Sequence, residues 1–342
     1  MDSRERYTRA LTFQGPDRVP IMHHHVNGAF RAHGDRLREL YELYPSDVLL
    51  SPDTGGIFSF RDCQRGRWTN ETVSYDDWGC GWLWTTPDHM GIAIEHPLAD
   101  WSALDGFRVP DPMTGDDGVR RMVDAVDDDG HRHFVLVDGG EVFQRMFFLR
   151  GFENLLVDLM DDRPEVYALR DLVADFVVRR VERWLETNRV DLILVRDDWG
   201  TQSSLMIHPD VWRRVFKPVY KRIIDLIHAG GAHGSFHSDG VISEILPDVV
   251  EMGWDEINPQ VSAMDLEGLG KKFGGKVCVR ADIDRQQILP NGSPEEVRTL
   301  VETLFDTFGT FNGGYVGWGE MNADVPIANG EAMLATLHGL RY

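Results

Sequence analysis

Histidine and acidic residues follow short apolar runs of this sequence in a pattern typical of metal ligands. His237 and Asp239 are two residues apart after such a run, so in a strand both side chains lie on one face. Glu320 follows a later run and offers a third ligand, leaving the open position that a catalytic metal requires. This donor set suits zinc first, then iron or manganese. The alternative is structural: Asp239 starts a turn and caps a helix, while His237 forms a hydrogen bond.

Two adjacent acids, Asp197 and Asp198, follow another apolar run. One of them is expected to face the site, and the other to cap a helix or hold a loop. Crowding of carboxylates raises the pKa of one of them, which would let that group act as a general acid. The alternative is that both are structural, as a helix cap and a loop ion pair.

A histidine triplet, His23 to His25, ends the first apolar run. In a strand His23 and His25 share one face and His24 lies on the other. With His23 and His25 inside, either is a candidate acid–base group or metal ligand near neutral pH. The alternative is a histidine that only forms hydrogen bonds.

Other polar and aromatic residues near the ends of these runs are candidates for substrate contacts. An amide such as Gln202 can hydrogen-bond a substrate oxygen, and an arginine such as Arg280 can hold a carboxylate. The expected substrate-binding residues are Asp138, Trp199, Gln202, Asn258, Gln260 and Arg280.

Short β-branched runs alternate along the chain with helical patterns of 3.6-residue apolar spacing. The predicted strands are residues 19–22, 48–50, 134–137, 192–195, 234–236, 256–258, 277–279 and 315–317. The predicted helices include residues 151–160, 164–188, 210–229, 242–252, 265–273 and 294–308. Eight such units predict an α/β fold, a single (β/α)8 TIM-type barrel over residues 1–342. The Trp-rich segment 65–97 is expected to be a β-hairpin inserted near the mouth, where the candidate residues converge.

The composition limits the classes of partner. The 342 residues include 56 Asp and Glu against 35 Lys and Arg, a formal charge of −21, which disfavours nucleic acid and anionic membranes. Three unevenly spaced cysteines indicate neither a disulfide framework nor a zinc knuckle. We find no signal-peptide core and no run of 18 apolar residues, so a cytoplasmic location is expected.

Several segments carry a resemblance to a known superfamily. They are YTRALTFQGPDRVP (7–20), LRGFENLLVDLMDDRPE (149–165), DDWGTQ (197–202), IHPDVWRRVFKPVYKR (207–222), FHSDG (236–240), EMGWDEINPQ (251–260), IDRQQILPNGSPEEV (283–297) and the stretch 313–333. In this order they resemble the uroporphyrinogen decarboxylase superfamily from end to end. The resemblance independently implies a single TIM-type barrel with its site over the carboxyl ends of the strands.

The resemblance implies two kinds of chemistry, and the sequence departs from the pattern of each. Porphyrinogen decarboxylases carry an Arg-Gln-Ala-Gly-Arg-Tyr stretch that holds substrate carboxylates, where residues 22–27 here read Met-His-His-His-Val-Asn. Many of the corrinoid and thiol methyltransferases carry His-x-Cys and a later Cys as zinc ligands, where this chain has His237-Ser238-Asp239 and Glu320. Polycarboxylate recognition and a Cys-rich zinc site are therefore not expected.

The leading hypothesis is metal-assisted methyl transfer on a small oxygenated substrate, with a corrinoid protein as partner. The metal would polarise a substrate oxygen and one of Asp197 and Asp198 would move a proton. The first alternative is a cofactor-free decarboxylase in which Arg150, Arg196 or Arg280 holds a carboxylate. The second is a non-catalytic small-molecule binder. The sequence leaves the oligomeric state open; a homodimer is the commonest assembly of soluble enzymes.

Overall fold

A parallel sheet forms the centre of the molecule. The computed structural model describes residues 1–25, 27–49, 73–86, 91–113 and 133–342. The strands in these residues are β1 (Ile21–His25), β2 (Val73–Tyr75), β3 (Gly81–Leu83), β4 (Ile92–Glu95), β5 (Leu136–Gly140), β6 (Leu192–Arg196), β7 (His233–Ser238), β8 (Glu256–Pro259), β9 (Cys278–Ala281) and β10 (Tyr315–Met321). Seven of them pair in the order β1-β10-β9-β8-β7-β6-β5, all parallel.

A short segment around Val48 joins the two edges of this sheet. The Asp47 N–H donates to the Ile21 carbonyl at 2.8 Å, and the Leu49 N–H donates to the Phe134 carbonyl at 2.9 Å. Val48 itself forms a parallel bridge with Phe134. The segment thus takes the place of the second strand, predicted at 48–50, although Leu50 lies outside the described residues. The sheet therefore curls into the predicted TIM-type barrel.

Helices surround the sheet. They are α1 (Ser3–Leu11), α2 (Asn27–His33), α3 (Asp35–Leu43), α4 (Phe143–Arg150), α5 (Phe152–Met160), α6 (Pro164–Leu185), α7 (Pro209–Val215), α8 (Lys217–Ala229), α9 (Leu246–Met252), α10 (Leu266–Phe273), α11 (Ile288–Asn291), α12 (Pro294–Phe308) and α13 (Ile327–Gly339). The predicted helix 294–308 is confirmed, with a capping box between Ser293 and Glu296. The predicted helix 210–229 is divided at Phe216, because Pro218 can donate no backbone hydrogen bond to the preceding turn. No helix of the described residues is both long and apolar enough to cross a membrane.

The insertion expected at 65–97 is a small antiparallel sheet of β2, β3 and β4 in the residues that the structure describes. Residues 65–72 and 87–90 of the predicted hairpin lie outside them. Asp76 fixes the β2–β3 turn, since it accepts hydrogen bonds from the backbone N–H groups of Trp78 and Cys80. The Arg145 guanidinium of α4 also binds Asp76, at 3.0 Å. The insertion is therefore anchored to the helix that follows β5.

Side chains alternate between the barrel interior and the surrounding helices. The interior holds a separate apolar cluster that includes Met22, Leu136, Leu194 and Val316. Tyr7 of α1 belongs to it and stacks on Phe134 with ring centroids 4.0 Å apart. Helix α1 thus closes the end of the barrel where the strands begin, and the polar residues at the opposite end form the mouth.

Candidate functional site

Three potential metal ligands meet at the mouth. His237 lies near the end of β7, Asp239 directly follows that strand, and Asp198 lies two residues beyond β6. One ligand atom from each lies within 4.8 Å of the other two. The Nε2 atom of His237 is 3.7 Å from Oδ1 of Asp198 and 3.8 Å from Oδ1 of Asp239. We call these three residues the mouth cluster; it is the one such group in the described part of the chain.

The donor set of the mouth cluster fits a divalent cation. His237 Nδ1 is 2.8 Å from Oδ1 of Asn258 and 2.9 Å from its backbone carbonyl. Because both neighbours are acceptors, Nδ1 carries a proton, and Nε2, on the side of the two carboxylates, is the nitrogen that could bind a metal. One neutral imidazole nitrogen and two carboxylate oxygens suit zinc, iron or manganese.

Glu320, expected as the third ligand, is not part of the mouth cluster. Its Oε2 atom lies 3.5 Å from Nη1 of Arg285, whose Nη2 donates to Oδ2 of Asp239 at 2.5 Å. Arg285 therefore separates Glu320 from Asp239, and Asp198 takes the place that we predicted for Glu320. The expected pairing of His237 with Asp239 does hold in space.

The adjacent acids divide their roles as expected, with Asp198 at the mouth and Asp197 at a helix start. Fully buried, Asp197 accepts hydrogen bonds from three backbone N–H groups at the start of α4, at 2.7 to 3.1 Å. The Tyr220 hydroxyl donates to it at 2.6 Å. Burial raises the pKa of Asp197 to about 7, although the hydrogen bonds from Gln144, Tyr220 and Val142 favour the charged form. Asp197 therefore serves as a helix cap.

The prediction that His23 and His25 face the barrel interior is wrong. His23 stacks on Tyr41 at a centroid distance of 4.0 Å and donates to the Tyr44 carbonyl at 2.7 Å. His25 packs edge-on against Phe30, also on the helix side. The alternation of β1 instead turns His24 inward, where Nδ1 lies 3.7 Å from Glu320. Desolvation lowers the pKa of His24 to about 4, against the charge of Glu320.

Arg280 is not exposed to a substrate as expected. It is 0 % exposed and its Nε donates to Oε1 of Glu256 at 2.9 Å inside the barrel. The Trp318 ring covers it, with the guanidinium carbon 4.4 Å from the ring centroid. Trp318 also faces His237, with centroids 6.1 Å apart and planes inclined by 28°. The indole thus separates a buried ion pair from the mouth.

Trp199, also expected to contact substrate, is a core residue. It is fully buried and stacks on Phe143 with centroids 4.1 Å apart. Trp212, Phe216 and Tyr220 pack against its edges. Its place beside two acidic residues misled the sequence-based prediction, because Trp199 packs under the helices rather than over the mouth.

The remaining predicted substrate residues lie at the mouth with different surroundings. Asp138 forms an ion pair with Arg196, 3.2 Å apart, in the wall of the barrel. The Gln260 Oε1 atom accepts from the Gly240 N–H at 2.9 Å and lies 3.4 Å from Nε2 of exposed Gln202. Asn258 holds His237, as described above.

A small cleft at the mouth cluster is lined by His237, Asp239, Asn258, Pro259, Gln260, Asp282, Arg285 and Trp318. Asp282 accepts from the Val261 N–H at 2.9 Å and from the Ser262 hydroxyl at 3.2 Å. Burial raises the pKa of Asp282 to about 7, while the charge of Arg285 acts in the opposite direction. A carboxyl group that titrates near neutrality is suited to proton transfer.

Sequence reasoning missed Gln144, Arg285, Trp318 and the inward position of His24. Gln144 Nε2 donates to Oδ2 of Asp198 at 2.6 Å, although the two residues are far apart in sequence. Arg285 follows β9 by four residues, so only its place in a loop at a strand end could have drawn attention to it. Trp318 lies two residues before Glu320 in β10, and strand alternation places both on the same face.

Comparison with protein families gives a match over most of the chain. The family model of uroporphyrinogen decarboxylase (URO-D) matches residues 79–340, which include the mouth cluster and its partners. A search of curated proteins gives no match.

Two of the solved structures that match this chain differ in how well they superpose on it. A methyltransferase from Methanosarcina mazei superposes with a TM-score of 0.74 at 14% identity, covering 98% of this chain and 98% of that chain. A B12-independent methionine synthase from Shewanella sp. W3-18-1, in complex with selenomethionine, has a TM-score of 0.48 at 11% identity, covering 91% of this chain and 86% of that chain. At such low identity the likeness to the methyltransferase establishes the barrel fold alone.

Proposed function

The chain belongs to the uroporphyrinogen decarboxylase family, and from this premise we propose that it is a metal-assisted methyltransferase acting on a small oxygenated substrate. The observation that carries the proposal is the convergence of Asp198, His237 and Asp239 at the mouth of the barrel. In such barrels the catalytic residues lie at the carboxyl ends of the strands. The mouth cluster would hold the metal, with zinc as the first candidate.

The surrounding residues would bind the substrate and handle its proton. When bound, a divalent metal supplies a Lewis acid that polarises a substrate oxygen. A substrate would bind above the small cleft at the mouth cluster, next to Trp318 and the Gln260 amide, because the cleft itself has no room for a water molecule. Loss of a methyl group leaves a substrate oxygen that needs a proton, and Asp282 supplies it. We place this role on Asp282 rather than on Asp197, which is enclosed by its four donors.

A corrinoid protein is the proposed partner that accepts or delivers the methyl group. It would dock over the carboxyl ends of the strands, where the mouth cluster lies. The observation in favour of this site is again the position of the mouth cluster, since a transferred methyl group must leave through the mouth.

The structure gives less support to the alternative of a cofactor-free decarboxylase. The arginines considered as carboxylate binders are all in ion pairs: Arg150 with Asp158, Arg196 with Asp138, and Arg280 with Glu256. Each of the three is at most 9% exposed. A substrate carboxylate would therefore have to replace an existing buried partner, which is costly.

Metal titration tests the proposed function directly. In a calorimeter, dialysed protein should bind one equivalent of added zinc, and His237→Ala should abolish that binding. The control is His208→Ala, which alters an exposed histidine outside the mouth cluster and should bind zinc as the native protein does. Methyl transfer from small methyl ethers to added cob(I)alamin, followed by absorbance, should be lost in chelator. Failure of zinc to bind, with turnover unaffected by chelator, would refute the proposal, and ligand binding without turnover would favour the non-catalytic binder.

A further inference from the structure

Each residue of the mouth cluster forms a hydrogen bond with a different neighbouring side chain. We propose that these three partners, Gln144, Asn258 and Arg285, are positioning residues that set the affinity for a bound metal. The inference rests on the proposed function, since it assumes that the mouth cluster binds a divalent cation. Side chains of this kind fix the orientation of metal ligands and commonly change metal affinity without touching the ion.

Asn258 fixes the imidazole of His237. Its Nδ2 donates to the backbone carbonyl of Arg280 at 2.5 Å, so its Oδ1 is turned toward His237 Nδ1, 2.8 Å away. The ring is thereby held in one tautomer and one orientation, with Nε2 toward the two carboxylates. Without this acceptor the ring could rotate, and the proton could occupy Nε2, where it would block a metal.

Gln144 connects the two adjacent acids. Its backbone N–H donates to Oδ1 of Asp197 at 2.7 Å, and its side chain donates to Oδ2 of Asp198 at 2.6 Å. Asp197 therefore fixes the first turn of α4, and the Gln144 side chain in that turn binds Asp198. The bond uses Oδ2 of Asp198, while Oδ1 accepts from the Asp239 backbone N–H at 3.0 Å and lies 3.7 Å from His237 Nε2. In this way Asp197 acts on the mouth cluster through Gln144.

Arg285 orients the carboxylate of Asp239 in the same way. It binds Oδ2 at 2.5 Å and leaves Oδ1 facing His237 Nε2, 3.8 Å away. The other side of the guanidinium lies 3.5 Å from Oε2 of Glu320, while Oε1 of Glu320 accepts from Asn322 at 2.9 Å. Glu320 therefore supports Arg285 and influences the metal only through it.

Zinc affinity, measured by competition with a chromophoric chelator, tests the inference without any substrate. Asn258→Leu should weaken zinc binding by about 10- to 100-fold, and Asn258→Asp, which keeps an acceptor for Nδ1, should restore most of it. Gln144→Leu should weaken binding by about tenfold. This second variant guards against misfolding, because the Gln144 side chain bonds Asp198 alone, whereas Asn258 also holds a backbone carbonyl. The visible spectrum of the cobalt-substituted protein should change in both Leu variants.

Glu320→Gln separates a supporting residue from a ligand. We expect this variant to lose less than about tenfold in zinc affinity, whereas His237→Ala should lose zinc binding completely. A loss as large as that of His237→Ala would make Glu320 a metal ligand and overturn its role as a support for Arg285. If the native protein binds zinc and both Leu variants bind it within about threefold of the native affinity, the positioning inference is wrong while the proposed function survives. If the native protein binds no zinc, the proposed function itself fails.

Discussion

At the end of the barrel where the strands begin, the buried Asp47 carboxylate is surrounded by opposite charge. Arg6 and Arg18 donate to it at 2.6 and 2.7 Å, and the Ile21 N–H donates at 2.9 Å. At the mouth, the donors to Asp198 among the described residues are both neutral, the Gln144 side chain and the Asp239 backbone N–H, and Asp198 shares His237 with a second carboxylate. The two ends therefore differ in function. The closed end, around Asp47, stabilises the fold, whereas the mouth retains negative charge that a bound cation would neutralise.

The largest effect should follow from removing charge at the closed end. Asp47→Asn removes the buried anion that Arg6 and Arg18 share; Arg6 keeps Asp17, whereas Arg18 loses the carboxylate to which both of its terminal nitrogens donate. The free energy of unfolding should therefore fall by about 3–5 kcal/mol. Urea denaturation of the variant and the native protein measures the difference. A change below about 1 kcal/mol would show that the closed end does not depend on this ion pair.

A pH-dependent effect should come from His23, on the helix-facing side of β1. Desolvation lowers its pKa to about 4, against the hydrogen bond to the Tyr44 carbonyl. The unfolded chain takes up this proton near pH 6.5, whereas the folded protein resists it until about pH 4. Between these values the native protein should lose up to about 3 kcal/mol relative to His23→Gln. Denaturation of both proteins at pH 7.5 and at about pH 4.5 checks this, and parallel pH profiles would contradict it.

A smaller effect should follow at the junction between α1 and the barrel. The Tyr7 hydroxyl donates to Oε2 of Glu256 at 2.6 Å in the barrel interior. Tyr7→Phe removes that donor but keeps the stacking on Phe134, and Glu256 retains Arg280 and Ser235. The free energy of unfolding should fall by about 1–2 kcal/mol. Zinc affinity serves as the internal control, since it should stay unchanged.

The smallest effect on stability should come from the mouth. Asp198→Asn removes one of two neighbouring carboxylates, so weaker repulsion with Asp239 offsets the weakened hydrogen bond from Gln144. The free energy of unfolding should therefore change by less than about 1 kcal/mol. Zinc binding, in contrast, should be lost. A destabilisation as large as that of Asp47→Asn would erase the distinction between the two ends.

The strand pattern was predictable because buried parallel strands form short, nearly continuous apolar runs, as at β6 and β9. The side-chain parity of β1 was not predictable. Three identical histidines in a row carry no alternation, and the neighbours Ile21 and Met22 are both apolar. Only pairing with β10, which places His24 opposite Glu320, decides which histidine faces inward.

The site was predictable where its residues share a strand end, as His237 and Asp239 do. It was not predictable where residues come from different loops. Whether Asp198 or Glu320 reaches His237 depends on Arg285, which lies between Glu320 and Asp239. The link from Gln144 to Asp198 likewise depends on how α4 starts, and a pairing between residues so distant in sequence leaves no local pattern.

The short segment around Val48 has a consequence for how the barrel fluctuates. β1 and β10 pair along five residues, from Ile21 to His25. Within the part of the chain that the structure describes, the β1 and β5 sides are joined through a single bridge at Val48 and a few hydrogen bonds beside it. Local opening follows the weakest pairing. The backbone amides of Asp47, Leu49 and Phe134 should therefore exchange with deuterium before those of β6 to β8. The barrel would then open first at the Val48 junction between its β1 and β5 sides.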